Sequence, residues 1–186
     1  MKNNDKLNKT ILKITVSTII ILLTVLVCHR YIYIQARTSV DFSEILKNEK
    51  IEDLTLTIYR CDPRFIHSYN YSSAEELIMA EKYNYVCKFV VQGETLKEYI
   101  DTFKQINKAN IKPLLKKAKY VDATTYYILE SKKNGKLFDV LLWGFYDVPV
   151  QEPVIFLNGV EIKKEQTFCD IIKHFLPEDM RNSIDW

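Results

Sequence analysis

The sequence predicts an α+β protein hung from one membrane-spanning helix. Three observations carry that expectation. The run Ile14 to Cys28 (ITVSTIIILLTVLVC) holds no charge and nothing later in the chain resembles it. The middle of the chain alternates helix-start signals with short β-patterned runs. Its second half carries two Asn-Gly pairs, Asn134-Gly135 and Asn158-Gly159, each between two runs patterned as strands. Strands grouped after helices imply a mainly antiparallel sheet of about six strands with helices on one face.

The uncharged run is 15 residues long, short of the roughly 20 that span a bilayer. Its flanks extend it. Ile11 and Leu12 precede Lys13, and Tyr31 to Ile34 follow Arg30. Terminal basic side chains snorkel to the headgroups, and Tyr31 and Tyr33 suit the interface. The expected plan is a basic leader over residues 1–13, a signal-anchor helix over 14–34 in contact with the lipid bilayer, and a domain over 35–186. Lys2, Lys6, Lys9 and Lys13 against Asp5 give the leader a net charge of +3. That charge favours a cytoplasmic N-terminus and an extracytoplasmic domain at the cell membrane. A cleaved signal peptide would use Ile34-Gln35-Ala36, which lies far beyond the apolar run. Acylation at Cys28 would need a small residue before it, and Val27 is not small.

Residues 1–30 hold five of the 26 Lys/Arg and one of the 24 Asp/Glu, which leaves the remainder 21 basic against 23 acidic residues, a net −2. Such a domain has no field to gather nucleic acid, and none is expected as a partner. Four glycines and five prolines in 186 residues argue against linkers and repeats. The abundance of Lys, Asn, Ile and Tyr resembles the usage of AT-rich bacteria.

Taken in order, Asp41 with Glu44 reads as a capping box opening a short helix to about Lys50. Leu54 to Tyr59 alternates apolar and polar, the pattern of a half-buried strand. Ser73 with Glu76 caps a helix to about Lys82, and Tyr85 to Val91 is a second strand. Thr95 with Glu98 reads as a third capping box; Leu96, Tyr99, Ile100, Phe103 and Ile106 then share one helical face. Pro113 breaks that helix and is expected to start a short second one. Tyr120–Ser131 and Leu137–Tyr146 form one hairpin, Val154–Leu157 and Val160–Lys164 another. Thr167 with Asp170 caps a last helix carrying Phe168, Ile171, Ile172, Phe175 and Leu176, stopped by Pro177.

Chemistry is sparse. Gly93, Gly135, Gly144 and Gly159 are isolated, so no glycine-rich phosphate cradle exists. His29, His67 and His174 stand far apart, and no two cysteines are close, so neither a metal site nor a cofactor is expected. Cys61, Cys87 or Cys169 could meet His67 or His174 only in space, and Asp62 with Glu75 has no supporting context. Cys61 and Cys87 are the candidate disulfide of an oxidising compartment.

Lys104, Lys108, Lys112 and Lys116 recur every four residues, a candidate stripe for an anionic partner such as headgroups, a wall polymer or an acidic protein. Tyr69, Tyr71, Tyr83 and Tyr85 are candidate stacking platforms for sugar rings. Gly144 to Pro153 (GFYDVPVQEP) joins the hairpins as a proline-stiffened aromatic connection. These features point to a membrane-anchored binding or interaction module with a protein or cell-wall partner. The alternatives are an enzyme acting on envelope material and a cell-wall carbohydrate binder.

Overall fold

The computed structural model describes residues 2–65, 70–114, 122–143, 154–163 and 165–181. It divides into two units, Met1–Ala36 and Arg37–Trp186.

The first unit is helical throughout its described length, as part of α1 (Lys2–Thr38). The stretch Ile11–Thr38 is long and apolar enough to cross a membrane. Its 28 residues reach about 42 Å at 1.5 Å per residue, more than the roughly 30 Å of a hydrocarbon core. The helix outruns the expected 14–34 segment at both ends because neither proline nor glycine interrupts residues 1–41. Three of its hydroxyls are bonded within the helix. Thr15, Thr18 and Thr24 donate to the carbonyls of Ile11, Ile14 and Ile20 at 2.9–3.0 Å, which satisfies these donors within the helix itself.

The second unit is a six-stranded, wholly antiparallel sheet in the order β2-β1-β3-β4-β5-β6. Its strands are β1 (Leu54–Cys61), β2 (Val86–Val91), β3 (Ala123–Ser131), β4 (Gly135–Trp143), β5 (Val154–Leu157) and β6 (Val160–Ile162). Among the described residues five helices accompany it after α1: α2 (Phe42–Asn48), α3 (Ala74–Glu81), α4 (Gly93–Lys104), α5 (Thr167–Lys173) and α6 (Glu178–Arg181).

Strand parity sets the core. Leu56, Ile58, Tyr127, Leu129, Phe138, Val140, Leu142, Ile155, Leu157 and Ile162 all face one side. Phe42 of α2, Leu96, Ile100 and Phe103 of α4, and Phe168, Ile171 and Ile172 of α5 cover them. Phe42 lies at the centre of a ring cluster with Phe103, Phe138 and Phe168. One cation is buried here. Arg60 is fully covered and donates to Thr125 Oγ1 at 2.7 Å.

Local chemistry explains the ends of these elements. Asp41 Oδ1 accepts from Glu44 N at 3.0 Å, and Ser73 Oγ accepts from Glu76 N at 3.2 Å, so both N-caps form as expected. The Glu76 carboxylate reaches Ser72 rather than Ser73. The Asn158-Gly159 turn has φ of 50° and 76°, the two positive values a type I′ hairpin requires.

Three expectations need correction. Helix α4 starts at Gly93, not after Thr95, because Gly93 at φ 62° turns the chain straight off β2. Pro113 starts no helix in the described residues; it forms an antiparallel bridge with Ile162. Burial of Ile106 and Ile111 draws this segment back onto the core. There Leu114 N donates to Glu161 O at 2.8 Å and Lys163 N to Lys112 O at 2.7 Å. A proline fits a sheet edge, where its missing donor faces outward. Finally, α5 begins after Gln166, whose amide bonds Asp170, while Thr167 bonds Glu165 instead of capping.

The two sheet edges differ. The Lys112–Leu114 segment covers β6. At the opposite side Asp62 N donates to Tyr85 O at 3.0 Å. Antiparallel alternation therefore points the backbone groups of Cys87 and Phe89 toward β1 and those of Lys88 and Val90 outward. Among the described residues nothing pairs with the outward groups.

Candidate functional site

Among the described residues the second face of the sheet is covered at one end only. Leu77 and Ala80 of α3 pack on Cys61, Val86, Ala123 and Tyr126. An irregularity between Ala123 and Thr125 turns Ala123 to this side. The backbone bond from Ala123 N to Tyr71 O, 2.7 Å, ties the segment before α3 to the strand.

Beyond α3 the face opens into a cleft of about 390 Å³, inside the roughly 300–1,000 Å³ range of small-molecule sites. Alternation on β4 sends Asp139, Leu141 and Trp143 to this side, and pairing places Tyr126 and Phe156 beside Leu141. Trp143 and Phe156 form the aromatic wall, with ring centroids 4.3 Å apart and planes tilted by 46°. Both rings are half-buried. Ser72, Ser73 and Glu75 at the start of α3 form one rim, Lys136 and Arg37 another.

The polar groups of the walls are largely held in place. Tyr126 Oη donates to Asp139 Oδ2 at 3.1 Å, and Lys136 Nζ lies 3.4 Å from Asp139 Oδ1. Burial, with the Asp139 charge next in weight, pushes the Tyr126 phenol up, so it stays a donor. Asn158 donates from its side chain to Arg37 O, and Arg37 Nη1 donates to Asn158 O, both at 2.9 Å. Asn158 Oδ1 in turn accepts from Asp139 N at 3.0 Å. The indole N–H of Trp143 is buried without an acceptor among the described residues, an arrangement that costs about 1–3 kcal/mol.

A second hollow, of about 460 Å³, lies beside Asp62, Arg64, Cys87, Asp179 and Met180. Arg64 closes on Asp62, bonding it from the backbone and the guanidinium at 2.5–3.1 Å. Those bonds hold the Asp62 carboxyl below its ordinary range, while burial pushes the Cys87 thiol up. A protonated thiol is a poor nucleophile.

The candidate residues from the sequence do not assemble. Cys61 and Cys87 lie on neighbouring strands but pair with Val86 and Arg60 respectively, which puts the thiols on opposite faces. The expected disulfide is not made, and all four cysteines are free. Cys61 instead contacts Ala123 O at 3.6 Å, and burial pushes its thiol up to about 12. Helix α4 ends at Lys104, which pairs with Asp101; Lys108 lies in a 3-10 turn and Lys112 in the edge segment, so no single helix face carries a lysine stripe. Lys116 lies outside the described residues.

Tyr83 is exposed and stacks on Tyr85 at 6.3 Å, whereas Tyr71 is half-buried and packs against the cluster under α3. The four tyrosines thus give no common platform among the described residues; Tyr69 lies outside them, as do His67 and Gly144–Pro153. Cys169 is buried, and His174 stacks on Tyr99 at 4.5 Å. Glu75 lines the cleft and Asp62 the other hollow, so that carboxylate pair does not form. Among the described residues no three His, Cys, Asp or Glu side chains gather as metal ligands would.

Sequence reading passed over Arg37, Tyr126, Lys136, Asp139, Trp143 and Phe156. One signal was available. In Phe138-Asp139-Val140-Leu141-Leu142-Trp143 the non-core parity carries Asp, Leu and Trp, a mixed row that a merely wet face does not need. Compared with known protein families, curated proteins and solved structures, the chain gives no match.

Proposed function

We propose that this chain is a single-pass membrane protein, N-terminus cytoplasmic, whose α+β domain acts outside as a binding module. The anchor reading is supported by the helix Ile11–Thr38 and its apolar, lipid-suited surface. The orientation is supported by the +3 leader, since basic flanks stay in the cytoplasm.

The observation that carries the binding role is the cleft over β3, β4 and β5. It combines half-buried aromatic rings with prearranged polar groups, the composition of ligand sites. Reporter enzymes fused behind residue 40 test the address. Activity from an export-dependent phosphatase, with silence from a cytoplasm-dependent galactosidase, is the expected result. The reverse pattern, or recovery of the full chain in the soluble fraction without detergent, overturns it.

A further inference from the structure

We propose that the cleft on the second sheet face takes a neutral polyhydroxylated ring, a pyranose unit of a glycan, against Trp143 and Phe156. This rests on the binding-module reading and names its ligand class.

Charge argues for neutrality. Two cations, Arg37 and Lys136, and two carboxylates, Glu75 and Asp139, line the cleft. Lys136 and Asp139 already face each other at 3.4 Å, and Arg37 is engaged on Asn158 O. An anionic ligand would meet Glu75 and Asp139, and a cationic one Lys136 and Arg37. A neutral ligand leaves the existing pair intact.

Shape and lining argue for a ring with one apolar face. Trp143 and Phe156 are tilted against each other and half-buried, so each ring keeps part of its surface open. The axial C–H groups of a pyranose pack on such surfaces, which carry negative charge on their faces. Its hydroxyls then meet the Glu75 carboxylate and the hydroxyls of Ser72 and Ser73, which are bonded to Glu76 but each keep capacity for a second hydrogen bond. A hydroxyl both donates and accepts, so it can answer either kind of group. Tyr71, Tyr83 and Tyr85 do not line this cleft; its aromatic wall comes from β4 and β5.

The test uses the full chain in lipid nanodiscs, free of glycosidic detergent. The chain has two tryptophans, so Trp186→Phe makes Trp143 the sole indole reporter. Chitotetraose, cellotetraose and maltotetraose are titrated against its fluorescence, with inorganic phosphate and a mixed Lys/Glu peptide alongside. The expected result is a saturable change with at least one sugar, at a Kd of about 0.1–10 mM. It should change less than about twofold between low and high salt, because the ligand is uncharged. Phe156→Leu, which keeps an apolar side chain, and Ser72→Phe, which crowds the rim from an exposed position, should each weaken it at least about tenfold. Silence toward all three sugars overturns the inference, as does binding that both variants leave unchanged. A saturable response to the peptide or phosphate alone also overturns it, while leaving the binding-module reading in place. The reporter fusions decide the membrane address independently.

Discussion

Replacing Phe42 by alanine should remove more stability than any other single truncation in α2. Phe42 is 1 % exposed and meets three rings: Phe138 at 4.9 Å edge-on, Phe168 at 5.7 Å edge-on and Phe103 at 6.4 Å stacked. A phenylalanine that buries about 150–250 Å² is worth about 4–6 kcal/mol at 25 cal/mol per Å², an upper bound. Measured Phe→Ala losses in cores run about 3–5 kcal/mol. We expect about 4 kcal/mol here, because rings held by a sheet strand and two other helices cannot collapse fully into the space. For a domain of about 150 residues that shifts Tm by about 8–16 °C. Urea denaturation of the full chain in micelles, followed by near-UV circular dichroism, measures the loss. Phe42→Leu should retain more than half of it, and Tyr83→Ala, at an exposed ring, should stay within about 0.5 kcal/mol of the parent. A Phe42→Ala loss below about 1.5 kcal/mol would refute the placement of α2 at the centre of the core.

Two further outcomes follow from the polar groups. The bonds from Arg64 depress the Asp62 carboxyl, so its contribution is present above the unfolded carboxyl value of about 3.9. It is lost as pH falls through the depressed folded value. Stability curves of the parent and Asp62→Asn should therefore differ modestly at neutral pH, since Arg64 is solvent-exposed, and converge as pH falls through that depressed value; parallel curves would contradict the pairing. Cysteine chemistry offers another check. With its thiol near 12, Cys61 at pH 8 should alkylate roughly a thousandfold more slowly than an ordinary thiol. Unfolded chain should take up iodoacetamide at all four cysteines without reductant; a Cys61–Cys87 peptide in the mass map would contradict the strand register.

Much of the fold was legible in the residues because its signals are local. A cap needs only a side chain three residues from its donor, as at Asp41 and Ser73. A hairpin turn needs only Asn-Gly between apolar runs, as at Asn158. The failures are where a decision is non-local. Thr95 and Glu98 form a plausible box, but Gly93 had already turned the chain into helix. Pro113 looks like a helix opener until Ile162 supplies a strand partner. The cysteine pairing failed on parity: two thiols on adjacent strands share a face only if the register allows it. The cleft was the least legible feature. Its walls come from α1's last turn, the start of α3 and three strands, and they meet only once the irregularities of β3 have set which residues face which side.

The closed β6 edge has a consequence for how copies could associate. Lys112 and Leu114 occupy the backbone groups that another molecule would seek there, while Lys88 and Val90 leave theirs on offer across the sheet. Molecules joining through these borders could meet open border to open border. A pair formed in this way leaves no further open border among the described residues, so growth by this route stops at two.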